Sequence, residues 1–147
     1  MEINKLDQNE LSDFKQVIKV FNDVFENDGE LPPDGHLKKM LSDPDFMVFV
    51  VRLHHQVIGG LTVHILQSCY SEKPSAYIYD VGIAREFQGK GFGKSLIEEV
   101  CRFCRQNGFK EAYVEAESDD MDAVAFYRKT KFSTEMEATH FTFSFSE

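Results

Sequence analysis

The sequence has 147 residues, 42% of them apolar and 28% charged, and carries a formal net charge of -9. That length suits one globular domain, 1–147, and is short for two, while the composition excludes a disordered chain. The acidic balance excludes a basic nucleic-acid-binding face, so no nucleic-acid partner is expected.

The three cysteines are an odd number, which argues against a disulfide framework. Cys101 and Cys104 form a lone C-x-x-C without the second pair or histidine that a zinc site needs, so no metal is expected. Reduced thiols, a start lacking both a basic and an apolar leader segment, and a longest apolar run of only residues 46–51 all predict a cytoplasmic protein with no membrane partner.

In chain order, residues 2–6 read as a short strand. From Leu11, apolar residues at Phe14, Val17, Ile18, Phe21, Val24 and Phe25 fall on one helical face, with Asn9 or Ser12 as the expected cap. Residues 27–35 form a loop by their prolines and glycines, and a short helix over 36–41 stops at Ser42-Asp43-Pro44. Residues 46–53 are almost wholly apolar and predict a central strand. It links through His54-His55-Gln56 to a strand over 57–66, making a hairpin. Adjacent turn histidines without a carboxylate partner read as exposed turn residues rather than metal ligands.

A polar loop over 67–74 leads to a strand over 76–84, then a glycine loop, then a helix over 91–106 closed by Asn107-Gly108. A strand over 109–117 and a helix over 119–129 follow. One or two closing strands are expected over 133–145, where Phe141, Phe143 and Phe145 alternate. The order predicts a mixed sheet with helices on both faces.

The glycine loop carries the chemistry. Glycines at 89, 91 and 93 at the start of a helix present bare backbone N–H groups and the positive end of the helix dipole to an anion. Gly93-Lys94-Ser95 looks like the end of a nucleotide-triphosphate loop. That loop needs four residues between its glycines, and Gly89 to Gly93 leaves three. The dinucleotide pattern fails too, because the run is G-x-G-x-G and no acidic residue follows where ribose would be read.

Gln88-Gly89-Lys90-Gly91-Phe92-Gly93 does fit Q/R-x-x-G-x-G/A, and here the segment resembles motif A of the GNAT superfamily of N-acetyltransferases. Residues 123–132, AVAFYRKTKF, are similar to that superfamily's A-x-x-x-Y-x-K-x-G-F ending. Residues 77–83, YIYDVGI, resemble the Y-I-Y-D-L-A-V strand of the aminoglycoside 3-N-acetyltransferases of GNAT type. Residues 114–127 and Thr139-His140-Phe141 are similar to their V-Q-A-D…D-D-P-A-V-A-L-Y and M-H-F. Thr142 stands where that family has a substrate-binding aspartate, and Lys131 where a glycine is usual.

The resemblance implies an α/β fold with a twisted, mostly antiparallel sheet of six to seven strands flanked by four helices. It implies acetyl-CoA as co-substrate, held by Gln88, Gly89, Lys90, Gly91, Phe92, Gly93 and Lys94 at the pyrophosphate. The backbone of Val81, Gly82 and Ile83 would hold the pantetheine arm, with Asp120 and Tyr127 beside it. Asp80 would be the base that frees the amine, and Tyr127 the acid for the departing sulfur. Tyr79, Asp80, Glu117 and Asp119 would line the substrate side, and Tyr79 and Asp80 can share a face only if the strand bulges there. Asp28, Glu30 and Asp34 of the early loop, with Glu115 and Asp122, would extend an acidic groove.

The expected reaction is acetyl transfer to a primary amine of a small cationic substrate, with an aminoglycoside 3-amino group and antibiotic resistance as the first reading. A polyamine or peptide amine, or a non-catalytic acetyl-CoA sensor, stand as alternatives. A dimer is usual in the superfamily, with the phenylalanine-rich end of the chain as its candidate interface.

Overall fold

The structure is a computed structural model and describes residues 1–146. Two compact units divide it, one of Met1–Glu115 and a second from Ala116 onward. The first unit contains strands β1 (Glu2–Lys5), β2 (Phe46–Leu53), β3 (Gln56–Leu66), β4 (Ser75–Ile83) and β5 (Glu111–Val114). Its helices are α1 (Leu11–Val24), α2 (Asp34–Ser42) and α3 (Phe92–Gln106), with a 3-10 turn over Arg85–Phe87. The second contains α4 (Met121–Arg128).

The strands form one sheet in the order β1-β2-β3-β4-β5. Neighbours are antiparallel except β4 and β5, which run parallel. The fold class agrees with the expectation, with five strands in place of six to seven. The shortfall lies at residues 133–145, which form no strand. Period-two alternation there is not enough, because a strand also needs a neighbour to take its backbone hydrogen bonds.

β2 is buried from Phe46 to Val51 because both of its faces are covered. On one face Phe46, Val48 and Val50 join Phe14, Val17 and Phe21 of α1 and Leu37 of α2 in a continuous core. On the other, Phe49 meets Phe103 of α3 edge to face, with ring centres 5.5 Å apart. Helix α3 turns Leu96, Ile97, Val100 and Cys104 inward, and burial pushes the Cys104 thiol up to about 11.

Local signals decide most boundaries. His54 and His55 both adopt positive φ, 51° and 66°, as a two-residue hairpin turn requires, and both are exposed. Gly108, at φ 74°, ends α3, and the Phe109 N–H returns to the Cys104 carbonyl at 3.1 Å. The start of α1 differs from expectation. Neither Asn9 nor Ser12 caps it: Glu10 occupies the cap position and turns its carboxylate back onto the Asp7 N–H at 3.0 Å.

Candidate active site

Strand β4 pairs with β3 through Ile83, but with β5 only from Ser75 to Ile78. Beyond Ile78 its β5-facing edge therefore has no strand partner among the described residues. The break coincides with an irregularity on the other side. Leu61 faces Val81 and Val63 faces Ile78, so Thr62 alone stands opposite both Tyr79 and Asp80.

That is a β-bulge, and it has the consequence the sequence required. Tyr77 and Tyr79 share a face by ordinary alternation, and the Tyr79 ring meets both Tyr77 at 5.5 Å and His64 at 5.4 Å. Asp80, which regular alternation would turn away, sits on this same face and bonds Thr62. Gly82 follows two residues on, against α1, where a Cβ would lie 2.9 Å from the Phe21 ring. Only glycine lets α1 approach β4 so closely.

Thr62 is the one buried polar residue among the described core residues. Its hydroxyl accepts the Asp80 N–H at 3.2 Å and donates to Asp80 Oδ2 at 3.1 Å. Burial raises the Asp80 carboxyl above the ordinary aspartate range, while the Thr62 hydrogen bond and the charge of nearby His64 pull it partly back. The result is a half-buried carboxylate with a raised proton affinity, held by one fixed partner. Tyr79 beside it is 58% exposed. Tyr77 is pushed up to about 12, by burial and then by the nearby Glu115 carboxylate.

Where β4 ends, Gln88 folds back and its Nε2 donates to the Ile83 carbonyl at 2.8 Å, tying the loop to the strand. Gly89 and Gly91 follow at φ 74° and 90°, backbone that side chains rarely adopt. A Cβ at either would point into open space, so conformation, not crowding within the chain, explains glycine here. Gly91 is the N-cap of α3 and no side chain caps that helix. Its first-turn N–H groups and dipole thus face outward beside Lys90 and Lys94, both exposed. Lys90 is held over the Phe87 ring, 5.7 Å from its centre.

Glu117, Asp119, Asp120, Asp122 and Tyr127 belong to the second unit. Asp120 N-caps α4, accepting the Ala123 N–H at 3.1 Å. Burial, followed by the charge of Asp120, pushes Tyr127 up to about 12. Glu117, Asp119 and Asp122 are exposed. In the early loop Asp28 and Glu30 are exposed, whereas Asp34 is engaged by Lys15 at 2.7 Å, which lowers its pKa. Among the described residues, no group of three or more His, Cys, Asp or Glu side chains is placed to hold a metal ion, and no helix is long and apolar enough to cross a membrane.

Thr62 and His64 are the site residues that sequence reasoning missed. Two polar residues at i and i+2 within the apolar run of β3 were the available signal, since that spacing puts both on one face.

A mixed sheet whose β4 and β5 stop pairing at Ile78 is followed by a glycine loop and a helix start with no side-chain cap, with the Asp80 carboxylate on the strand before them. The chain belongs to the acetyltransferase (GNAT) family, whose model matches residues 14–132. An aminoglycoside acetyltransferase, meta-AAC0020, from an uncultured soil metagenomic sample is similar in structure. In its complex with trehalose the TM-score is 0.96 at 40% identity, covering 99% of this chain and 96% of that one. In its complex with sisomicin the TM-score is 0.96 at 39% identity over the same shares.

Among curated proteins, mycothiol acetyltransferase of Saccharomonospora viridis is 35% identical over 65 residues, 44% of this chain and 21% of that protein. The uncharacterized N-acetyltransferase CgeE of Bacillus subtilis is 29% identical over 143 residues, covering 92% of this chain and 51% of that protein. The chain thus spans about half the length, or less, of these two curated relatives.

Proposed function

We propose that this protein transfers the acetyl group of acetyl-CoA to a primary amine of a small cationic substrate, an aminoglycoside acetylated at its 3-amino group. The observation that carries the reading is the bulge in β4, which brings Asp80 and Tyr79 onto one face where the strand's edge falls open. The likeness to an aminoglycoside acetyltransferase over nearly the full chain supports the substrate class. The family match runs from 14 to 132 across both units and supports treating residues 1–147 as one catalytic domain.

The residues present fit the coenzyme. The edge of β4 over Val81, Gly82 and Ile83, which lies beyond its pairing with β5, suits an amide-bearing arm lying alongside like an added strand. The left-handed glycines, the uncapped start of α3, Lys90 and Lys94 suit a diphosphate. Bound there, acetyl-CoA supplies an activated acyl group. Gln88 keeps the loop in place through Ile83, and Phe92 and Gly93 offer first-turn N–H groups. Asp120 and Tyr127 complete the coenzyme side in this reading.

An amine must shed its proton before it can attack a thioester. Asp80, ionised, draws in the ammonium group and takes that proton, directly or through a water. Tyr79, Glu117 and Asp119 hold the rest of a polycationic substrate. Tyr127 serves the departing sulfur. With its pKa at about 12, it stays protonated across the working range. Full proton loss to a thiolate of pKa near 8.5 would be uphill by about 5 kcal/mol, so its part is to donate a hydrogen bond.

Thiol release from acetyl-CoA, followed with sisomicin, a polyamine and a peptide amine as acceptors, tests the reading. Turnover on sisomicin with the product acetylated at the 3-amino group is expected. Turnover confined to another amine moves the substrate, and coenzyme binding without turnover on any amine replaces the enzyme with a sensor. A homodimer formed through the phenylalanine-rich segment belongs to the same proposal.

A further inference from the structure

We propose that Thr62 is a positioning residue for the acetyl transfer, locking the Asp80 carboxylate in one orientation through paired hydrogen bonds at the bulge. The inference rests on the role given to Asp80 above and deepens it. A hydroxyl has one proton to give. Because Thr62 Oγ1 accepts the Asp80 N–H, its own proton is directed at the carboxylate, on Oδ2. One residue therefore satisfies the backbone donor that the bulge removes from the regular ladder and fixes the side chain that the bulge turns inward. Oδ2 is occupied, which assigns the incoming ammonium group to Oδ1.

The surroundings leave this task to Thr62. From β3, His64 is the titratable neighbour near Asp80, and its ring is turned edge-on to Tyr79. Helix α1 meets β4 at Gly82 through Phe21 and Val24, which carry no charge. Helix α3 packs on the sheet with Leu96, Ile97, Val100 and Cys104. The titratable groups of β5, Glu111 and Tyr113, pair at Ser75 and Tyr77, before the bulge. Thr62 itself is only 5% exposed, so no water competes freely for its hydroxyl.

The test compares Thr62→Val, which keeps the shape and removes the hydroxyl, with Thr62→Ser, which keeps both hydrogen bonds. Losing a donor to the ionised form raises a carboxyl pKa. In Thr62→Val the Asp80 titration, followed by NMR of the carboxyl carbon in the free protein, should move up by about one pH unit. The acidic limb of kcat/KM for sisomicin should move with it, and kcat should fall about tenfold with KM for acetyl-CoA unchanged. Thr62→Ser should match the wild type in all three measurements.

A valine variant that loses activity with an unmoved Asp80 titration overturns the proposal, because a merely structural threonine would do that. So does a serine variant as impaired as the valine one. If Thr62→Val does not fold, a serine variant with wild-type titration supports the proposal and a shifted one overturns it. Asp80→Asn, run in parallel, separates the two readings. Full activity there removes the base assignment itself, whereas lost activity beside an unmoved valine titration removes only Thr62.

Discussion

Asp80 shows how much of a catalytic assignment depends on a residue's setting rather than its type. A solvated aspartate near pKa 3.9 is a feeble base for an amine. Half-buried at the bulge, its carboxyl titrates higher, for reasons of desolvation first. In the proposed role the carboxylate is the working form, so activity should fall as pH drops through the raised pKa, earlier than for an ordinary aspartate. Asp80→Asn keeps the side chain's shape and its contact with Thr62 while removing the base. Turnover on an amine should drop at least about tenfold, with coenzyme affinity, read by calorimetry, unchanged. Undiminished turnover would remove Asp80 from the mechanism.

At the level of elements, the proposal gives the glycine loop and β4 two tasks along one continuous stretch. The loop was legible in the sequence because its information is local: three glycines at fixed spacing, directly before an amphipathic run. The structure adds that Gly89 and Gly91 are required by positive φ. A Cβ at Gly91 meets no neighbour within 4 Å, so Gly91→Glu should still fold, less stable by about 1–2 kcal/mol from left-handed strain. It should lose coenzyme binding, because a carboxylate then stands in front of the helix start. Gly91→Ala carries the strain without the charge and should bind more weakly than wild type but measurably. Undiminished affinity in Gly91→Glu would sink the loop assignment. Thr62 was legible only as one of two polar residues on a single face of an apolar strand, and its partner could not be read until the strand opposite was known to bulge. The cap of α1 escaped for a similar reason, since Glu10 acts by folding back on Asp7, not by a forward side-chain bond.

For the molecule as a whole, order and type of elements were readable from periodicity through β5 and α4, and the sequence failed at the end of the chain. Residues 133–145 have the alternation of a strand, yet Phe141, Phe143 and Phe145 are 78%, 80% and 96% exposed. Alternation reports which side chains want cover and not whether the same chain provides it. An apolar row of this kind fits a surface between protomers. Light scattering should give the wild-type protein twice its chain mass, and Phe141→Ser with Phe143→Ser should halve that value. A wild-type protein of single-chain mass would remove the dimer.

The extra residue in β4 also works as a phase shift. Leu61 and Val63 keep their partners on either side of it, so the strand before and the strand after are each in step with β3, with one residue too many between. Deleting Tyr79 would therefore restore an unbroken ladder without moving any other pairing. Loss of a residue within a central strand is ordinarily ruinous, because it turns every later side chain to the wrong side. Here the shortened chain is expected to melt near the wild-type temperature and to keep its affinity for acetyl-CoA, with Asp80 still opposite Thr62, while KM for the amine rises as the Tyr79 surface is lost. In β4, one inserted position would serve the proposed site without serving the ladder.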